Sequence, residues 1–271
     1  MTTQSLLLSP ARRGRWAPLP VILAGTFMVV LDFFIVNVAL PSMQAGMHAS
    51  DSSIEWVVAG YGLTTAVLLI TGARLGDLWG RRRVFTLGLA LFTASSAACG
   101  LAATPQLLVA ARLAQGAAGA LLMPNVLAII GVLYAGGDRA RALAAYGMVM
   151  GLAAVSGQLI GGLLVQADPG GLGWRSCFLI NVPVGLAALA VAPRLIPESR
   201  TAAGGSLDIA GTALATLGLT AIVLPLVEGR AHGWPLWTWL SLAAAPVLLA
   251  GFAVQQRRRA AGGGSPLLPP G

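Results

Sequence analysis

The chain has 271 residues, of which 56% are hydrophobic and only 10% charged, and its mean hydropathy is +0.80. A water-soluble domain carries about 25% charged residues, so this composition excludes a soluble globule and makes lipid the expected solvent. The basic set is 17 arginines with no lysine, for a net charge of +8, and the missing lysine excludes both a P-loop nucleotide site and Schiff-base catalysis.

A bilayer core about 30 Å thick needs roughly 20 apolar residues per helix. On that measure the sequence predicts eight spans, at 18–40, 54–75, 84–103, 106–133, 142–165, 177–196, 209–227 and 235–254. Residues 1–17 form a basic tail with Arg12, Arg13 and Arg15. Tail and first span together have the polarity of a secretory leader, but the apolar run is too long and no small-residue cleavage site follows, which predicts a first span that stays.

Span one carries Asp32 within Val29-Val30-Leu31-Asp32-Phe33-Phe34, about 13 Å below Pro41 at a helical rise of 1.5 Å per residue. Asn37 points about 140° away from Asp32 around the helix and is expected to serve helix packing. After span two the chain reads Ala73-Arg74-Leu75-Gly76-Asp77-Leu78-Trp79-Gly80-Arg81-Arg82-Arg83. Gly76 and Gly80 permit a tight turn there, and Asp77 can accept hydrogen bonds from Arg81 and its neighbours or sit against a helix N-terminus.

Span four is too long for one straight crossing, which predicts that part of it projects or that it kinks at Pro124. It carries Arg112, about 10 Å below Pro105, with Gln115 three residues later on the same face. Asp32 and Arg112 are therefore expected to meet at one level, around a polar cavity. A charge inside a span costs a few kcal/mol unless it is paired or faces water. The pair reads either as a titratable acid or substrate-cation contact beside a fixed positive charge, or as a static ion pair. Span five carries Gly147-x-x-x-Gly151 and Gly157-Gln158-Leu159-Ile160-Gly161-Gly162, a spacing that allows close helix approach in lipid and leaves the helix easy to bend. Cys99 and Cys177 are isolated and read as small packing residues. His48 and His232 have no metal-ligand spacing around them, so no metal site is expected.

Outside the spans, 14 arginines fall on one side of the membrane and only Arg175 and Arg230 on the other. This bias predicts that both termini are cytoplasmic. Trp56, Trp174, Trp234, Trp237 and Trp239 cluster near the opposite ends, as an interfacial belt requires. The arginines sit in short groups between apolar runs rather than on one polar face, which argues against nucleic acid as a partner. No nucleophile–base pair or metal cluster suggests an enzyme.

These segments resemble the major facilitator superfamily, and more closely its fourteen-span drug:proton antiporter branch. Gly76-Asp77…Gly80-Arg81-Arg82-Arg83 resembles the signature loop between the second and third helices, and Leu31-Asp32-Phe33-Phe34-Ile35-Val36-Asn37-Val38-Ala39-Leu40-Pro41 the first-helix motif. Arg112-Leu113-Ala114-Gln115-Gly116 is similar to the fourth-helix motif, whose arginine is linked to proton coupling. The Gly157–Gly162 run resembles the fifth-helix antiporter motif, and Gly173-Trp174-Arg175 with Phe178-Leu179-Ile180-Asn181-Val182-Pro183 the entry to helix six. Ala73, Leu78, Phe34 and Gln158 depart from the usual glycine, basic residue, threonine and proline.

The resemblance implies an all-α polytopic membrane protein: the N-terminal six-helix bundle of a major facilitator transporter (18–196), then a linker and an additional helix pair (197–254), then a basic, Gly/Pro-rich cytoplasmic tail (255–271). The implied function is proton-coupled efflux of small hydrophobic, amphipathic or cationic drugs across the cell membrane. The proton gradient is then the energy source, no cofactor is needed, and the partners are the lipid bilayer, protons and the substrate. Asp32, Arg112 and Gln115 would handle the proton and line the substrate cavity, Gly76, Asp77, Gly80 and Arg81 would form a cytoplasmic gate, and Gly157, Gln158, Gly161 and Gly162 would form the antiporter segment. A second bundle is expected after the helix pair and is not in the sequence, which reads as a missing C-terminal half. Two alternatives stay open: a metabolite permease, since Gln158 stands where the antiporter proline would, and a truncated half that does not transport.

Overall fold

The computed structural model describes residues 15–200 and 208–261. Arg12, Arg13, residues 201–207 of the linker and the Gly/Pro-rich tail beyond Ala261 lie outside the described residues. Eight helical crossings account for the predicted spans, and the described residues contain no strand. They are α1 (Pro18–Met47), α2 (Asp51–Trp79), α3 (Arg81–Gly100), α4 (Pro105–Leu133), α5 (Gly136–Ala167), a composite sixth crossing, α8 (Ile209–Ala231) and α9 (Leu236–Ala261). The composite crossing enters through short 3₁₀ turns and continues as α6 (Ser176–Leu179) and α7 (Asn181–Leu195).

Local chemistry sets several of these boundaries. Pro18 and Pro105 occupy first-turn positions, where a missing N–H costs nothing. The hydroxyls of Ser50 and Thr104 accept from the backbone N–H groups of Ser53 and Leu107, capping α2 and α4. Helices α1, α2, α4 and α5 have 29 to 32 residues, about 44–48 Å of helix, so they project beyond the hydrocarbon. α4 continues through Pro124 without a break.

Close packing rests on glycines. On α2, a side chain at Gly72 would strike the Ala120 carbonyl and one at Gly76 would strike the Asn125 amide, while on α4 one at Gly116 would strike Tyr61 and Thr64. On α5, a Cβ at Gly157 would lie 2.9 Å from the Phe34 Cβ and 3.0 Å from the Leu31 carbonyl of α1, and one at Gly161 2.9 Å from Ile35. Gly147 and Gly151 meet nothing within 4 Å, so the first glycine pair of span five makes no helix contact among the described residues. Asn37 corrects a second expectation. It is exposed, and its amide donates back to the Phe33 carbonyl of its own helix at 3.0 Å, which satisfies the group without a partner helix.

Helices α8 and α9 form a hairpin that docks chiefly along α2. Thr71 and Thr212 share a hydrogen bond of 3.0 Å, and the Trp56 indole N–H donates to Glu228 at 2.5 Å. Asp208 closes the other end of the hairpin. Its carboxylate caps α8 by accepting from Gly211 N–H at 2.8 Å and also accepts from Gln256, Gln255 and Arg259 at 2.6 to 2.9 Å. Burial pushes its pKa up, but these donors and the arginine charge outweigh burial and hold it below the usual carboxylate value.

Candidate functional site

The two intramembrane charges meet. Asp32 on α1 and Arg112 on α4 form an ion pair of 2.5 Å, with side-chain exposures of 0% and 1%. Arg112 uses its remaining donors well: Nε donates to the Val57 carbonyl of α2 at 2.9 Å, and Nη1 also donates to Gln115 Oε1 at 2.7 Å. Gln115 Nε2 donates to Asp32 Oδ1 at 2.8 Å, and Asn181 Nδ2 of α7 donates to the same oxygen at 3.0 Å. Both amides also donate to Ser96 Oγ of α3, which donates in turn to the Phe178 carbonyl at 2.9 Å. Donors from α4 and α7 thus converge on the carboxylate of α1, and α2, α3 and α6 supply the next ring of hydrogen-bond partners. Paired and hydrogen-bonded on all sides, the charges meet the condition under which ions persist in lipid.

The expected polar cavity around them is absent. The Tyr61 ring lies over the guanidinium with Arg112 Cζ 4.1 Å from its centroid, and the Phe178 ring lies 5.7 Å away. With these rings over Arg112 and amide donors on Asp32, the two side chains are 1% and 0% exposed. The space lies next door. An almost wholly apolar cleft of about 350 Å³ is lined by Val29, Phe33 and Phe34 of α1, Tyr61 and Thr65 of α2, Met123 of α4 and Met150 of α5. Tyr61 belongs to both features.

At the α2–α3 connection the expected loop is largely helix. Gly76 lies inside α2 against Asn125, and Gly80 alone makes the turn, at φ +107. Asp77 pairs with Arg81 across that turn at 2.9 Å. Glu198, beyond α7, accepts from Arg82 N–H at 3.1 Å and pairs with the Arg82 and Arg83 guanidinium groups. A Cβ on Gly80 would lie 2.5 Å from Glu198 Oε1, so the flexible glutamate would have to yield, while the φ of +107 is what calls for glycine. On α5, Gly157 and Gly161 face α1, Gly162 is in ordinary contact with Val38, and Gln158 is exposed.

Sequence reasoning brought together Asp32, Arg112 and Gln115 and did not find Tyr61, Ser96 or Glu198. Serine and tyrosine carry no charge that stands out in an apolar run, and Glu198 lies in a polar connection like many others. Asn181 appeared only within a resembling motif.

The sequence pattern of the Major Facilitator Superfamily matches residues 22–255. The chain belongs to this superfamily. Its curated relatives in the superfamily include a probable actinorhodin transporter of Streptomyces coelicolor, 44% identical over 91% of this chain and 43% of the relative. A tetracenomycin C resistance and export protein of Streptomyces glaucescens is 39% identical over 90% and 45%, and a puromycin resistance protein of Streptomyces alboniger is 42% identical over 95% and 50%. The chain spans about half the length of the curated relatives it matches. Among solved structures, tetrameric PepTSo2 overlays on 90% of this chain and 55% of its own with a TM-score of 0.64 at 15% identity. A bacterial homolog of the lysosomal transporter Spinster covers 91% with a TM-score of 0.57 at 19% identity. These two share the superfamily fold.

Proposed function

We propose that this chain forms the first-half helices of a proton-driven exporter of hydrophobic and amphipathic antibiotics in the cell membrane. The observation that carries the proposal is the sealed Asp32–Arg112 pair built beside an apolar cleft. Asp32 takes up and releases the coupled proton, Arg112 and Gln115 stabilise its ionised form, and the cleft accepts the apolar body of the drug. The names of the curated relatives, which are export and resistance proteins, support the same reading.

The remaining assignments follow. The Asp77–Arg81 pair with the Gly76 and Gly80 contacts forms a cytoplasmic gate, and Gly157 and Gly161 let α5 slide on α1. Both termini are cytoplasmic, residues 18–196 are one bundle with 197–254 an added helix pair, and the membrane proton gradient drives transport without a cofactor. Because the chain spans about half of each relative, a second set of helices, in this polypeptide or another, completes the cavity.

The test is Asp32→Asn placed in the native gene, with efflux of ethidium and of a neutral anthraquinone antibiotic followed in energised cells. Loss of at least tenfold in efflux, with unchanged protein in the membrane, is the expected result. Unchanged efflux removes Asp32 from the mechanism, and no drug efflux from the unaltered gene overturns the exporter reading.

A further inference from the structure

The cleft and the ion pair are separate spaces with one residue between them. Tyr61 lines the cleft and its ring lies 4.1 Å from the guanidinium carbon of Arg112. Its backbone cannot move away: Gly116 of α4 packs against it, and the Tyr61 carbonyl accepts from the hydroxyl of Thr65 at 2.8 Å, which ties it to the next turn of α2. The side chain is buried, at 2% exposure, but has one directional tie and borders the cleft. The phenol donates to the Val29 carbonyl at 3.3 Å, Phe33 packs at 6.1 Å between centroids, and the neighbouring Gly62 leaves the cleft side open. A fixed backbone with one rotatable ring is the construction of a shutter.

We propose that Tyr61 is the positioning residue that partitions the apolar cleft from the buried Asp32–Arg112 pair, and that rotation of its ring opens the pair to the cleft. While the ring is in place, neither water nor cargo touches the carboxylate. A flat apolar cargo that enters among Phe33, Phe34, Met123 and Met150 competes for the space the ring would turn into. Occupancy and proton access are then linked through one side chain. The link to cargo rests on the exporter reading, whereas the partition itself does not.

Cys99 supplies a built-in reporter that needs no transport. Its thiol donates to Gln115 Oε1 at 3.5 Å, the same oxygen that accepts from Arg112, so it borders the hydrogen-bond network of the pair. Cys177 is also buried but packs against Gly161 of α5, and it serves as the control for general loosening. The experiment is alkylation by N-methylmaleimide of the full chain in its native membranes, with each thiol quantified by mass spectrometry. Replacing the ring by Tyr61→Ala or Tyr61→Leu is expected to accelerate modification of Cys99 at least tenfold relative to Cys177, whereas Tyr61→Phe, which keeps the ring, stays within about twofold of the unaltered protein. Equal acceleration at both cysteines, no acceleration at Cys99, or a Tyr61→Phe variant as reactive as Tyr61→Ala would each overturn the partition. If the partition holds but drug efflux is absent from the unaltered gene, the exporter reading fails and the shutter stands.

Discussion

Arginine at position 112 is demanded by geometry as well as by charge. Its Nε reaches the Val57 carbonyl while Nη1 reaches both Asp32 and Gln115, and a planar fork can do this where a single ammonium cannot. Arg112→Lys is therefore expected to keep the protein in the membrane but lower efflux at least tenfold in the assay above; normal efflux would show that charge alone suffices. Arg112→Gln leaves the Asp32 charge buried without a counter-charge, with only the Gln115 and Asn181 amides donating to it, which costs about 3–5 kcal/mol. Adding Asp32→Asn removes that charge, so the double variant should melt close to the unaltered protein and well above Arg112→Gln alone. A double variant as unstable as the single one would contradict the coupling. This pair was legible in the sequence because a charge in an apolar run is rare and its depth follows from helical rise. Tyr61 and Ser96 were not legible, since what they do depends on which helix faces them. Two intramembrane charges at one depth read as a polar cavity, whereas the packing of Tyr61 and Phe178 over the guanidinium makes a sealed cluster.

At the scale of the helix, the two glycine pairs of span five look alike in sequence and differ in the fold. Gly157 and Gly161 let α5 lie against α1, whereas Gly147 and Gly151 have open space around them. Gly157→Val must push apart Phe34 and the Leu31 carbonyl, so it is expected to lower the amount of folded protein in the membrane severalfold. Gly151→Val should leave that amount unchanged, as read by fluorescence-detected gel filtration. Equal loss in both variants would mean that the helix needs flexibility rather than contact. Small-residue spacing announces a possible interface, but not which turn of the helix owns it. Hydropathy has a similar blindness at α2. The polar residues Arg74 and Asp77 end the apolar run and read as loop, yet alanine, arginine and leucine are good helix formers and the helix continues to Trp79. The residues of the proposed gate thus sit on a helix end and a one-residue turn.

Across the whole molecule, the ion pairs and polar ties near the helix ends form two layers among the described residues, on either side of the buried Asp32–Arg112 cluster. In one, Arg15 at the start of α1 pairs with Asp138 at the start of α5, Glu198 beyond α7 with Arg82 at the start of α3, and Asp208 at the start of α8 with Arg259 at the end of α9. In the other, Trp56 near the start of α2 meets Glu228 near the end of α8, and Arg175 donates to the Ala102 carbonyl beyond α3. The first layer holds the arginine-rich ends, and an excess of arginine marks the cytoplasmic side. Single cysteines at Gly137 and Leu172, in a protein with Cys99 and Cys177 replaced by serine, sample the two layers at positions where the structure leaves room or exposure. A membrane-impermeant maleimide should label the Leu172→Cys protein in intact cells and the Gly137→Cys protein only after lysis. The reverse pattern would place Asp77 and Arg81 outside the cell, where no cytoplasmic gate can operate.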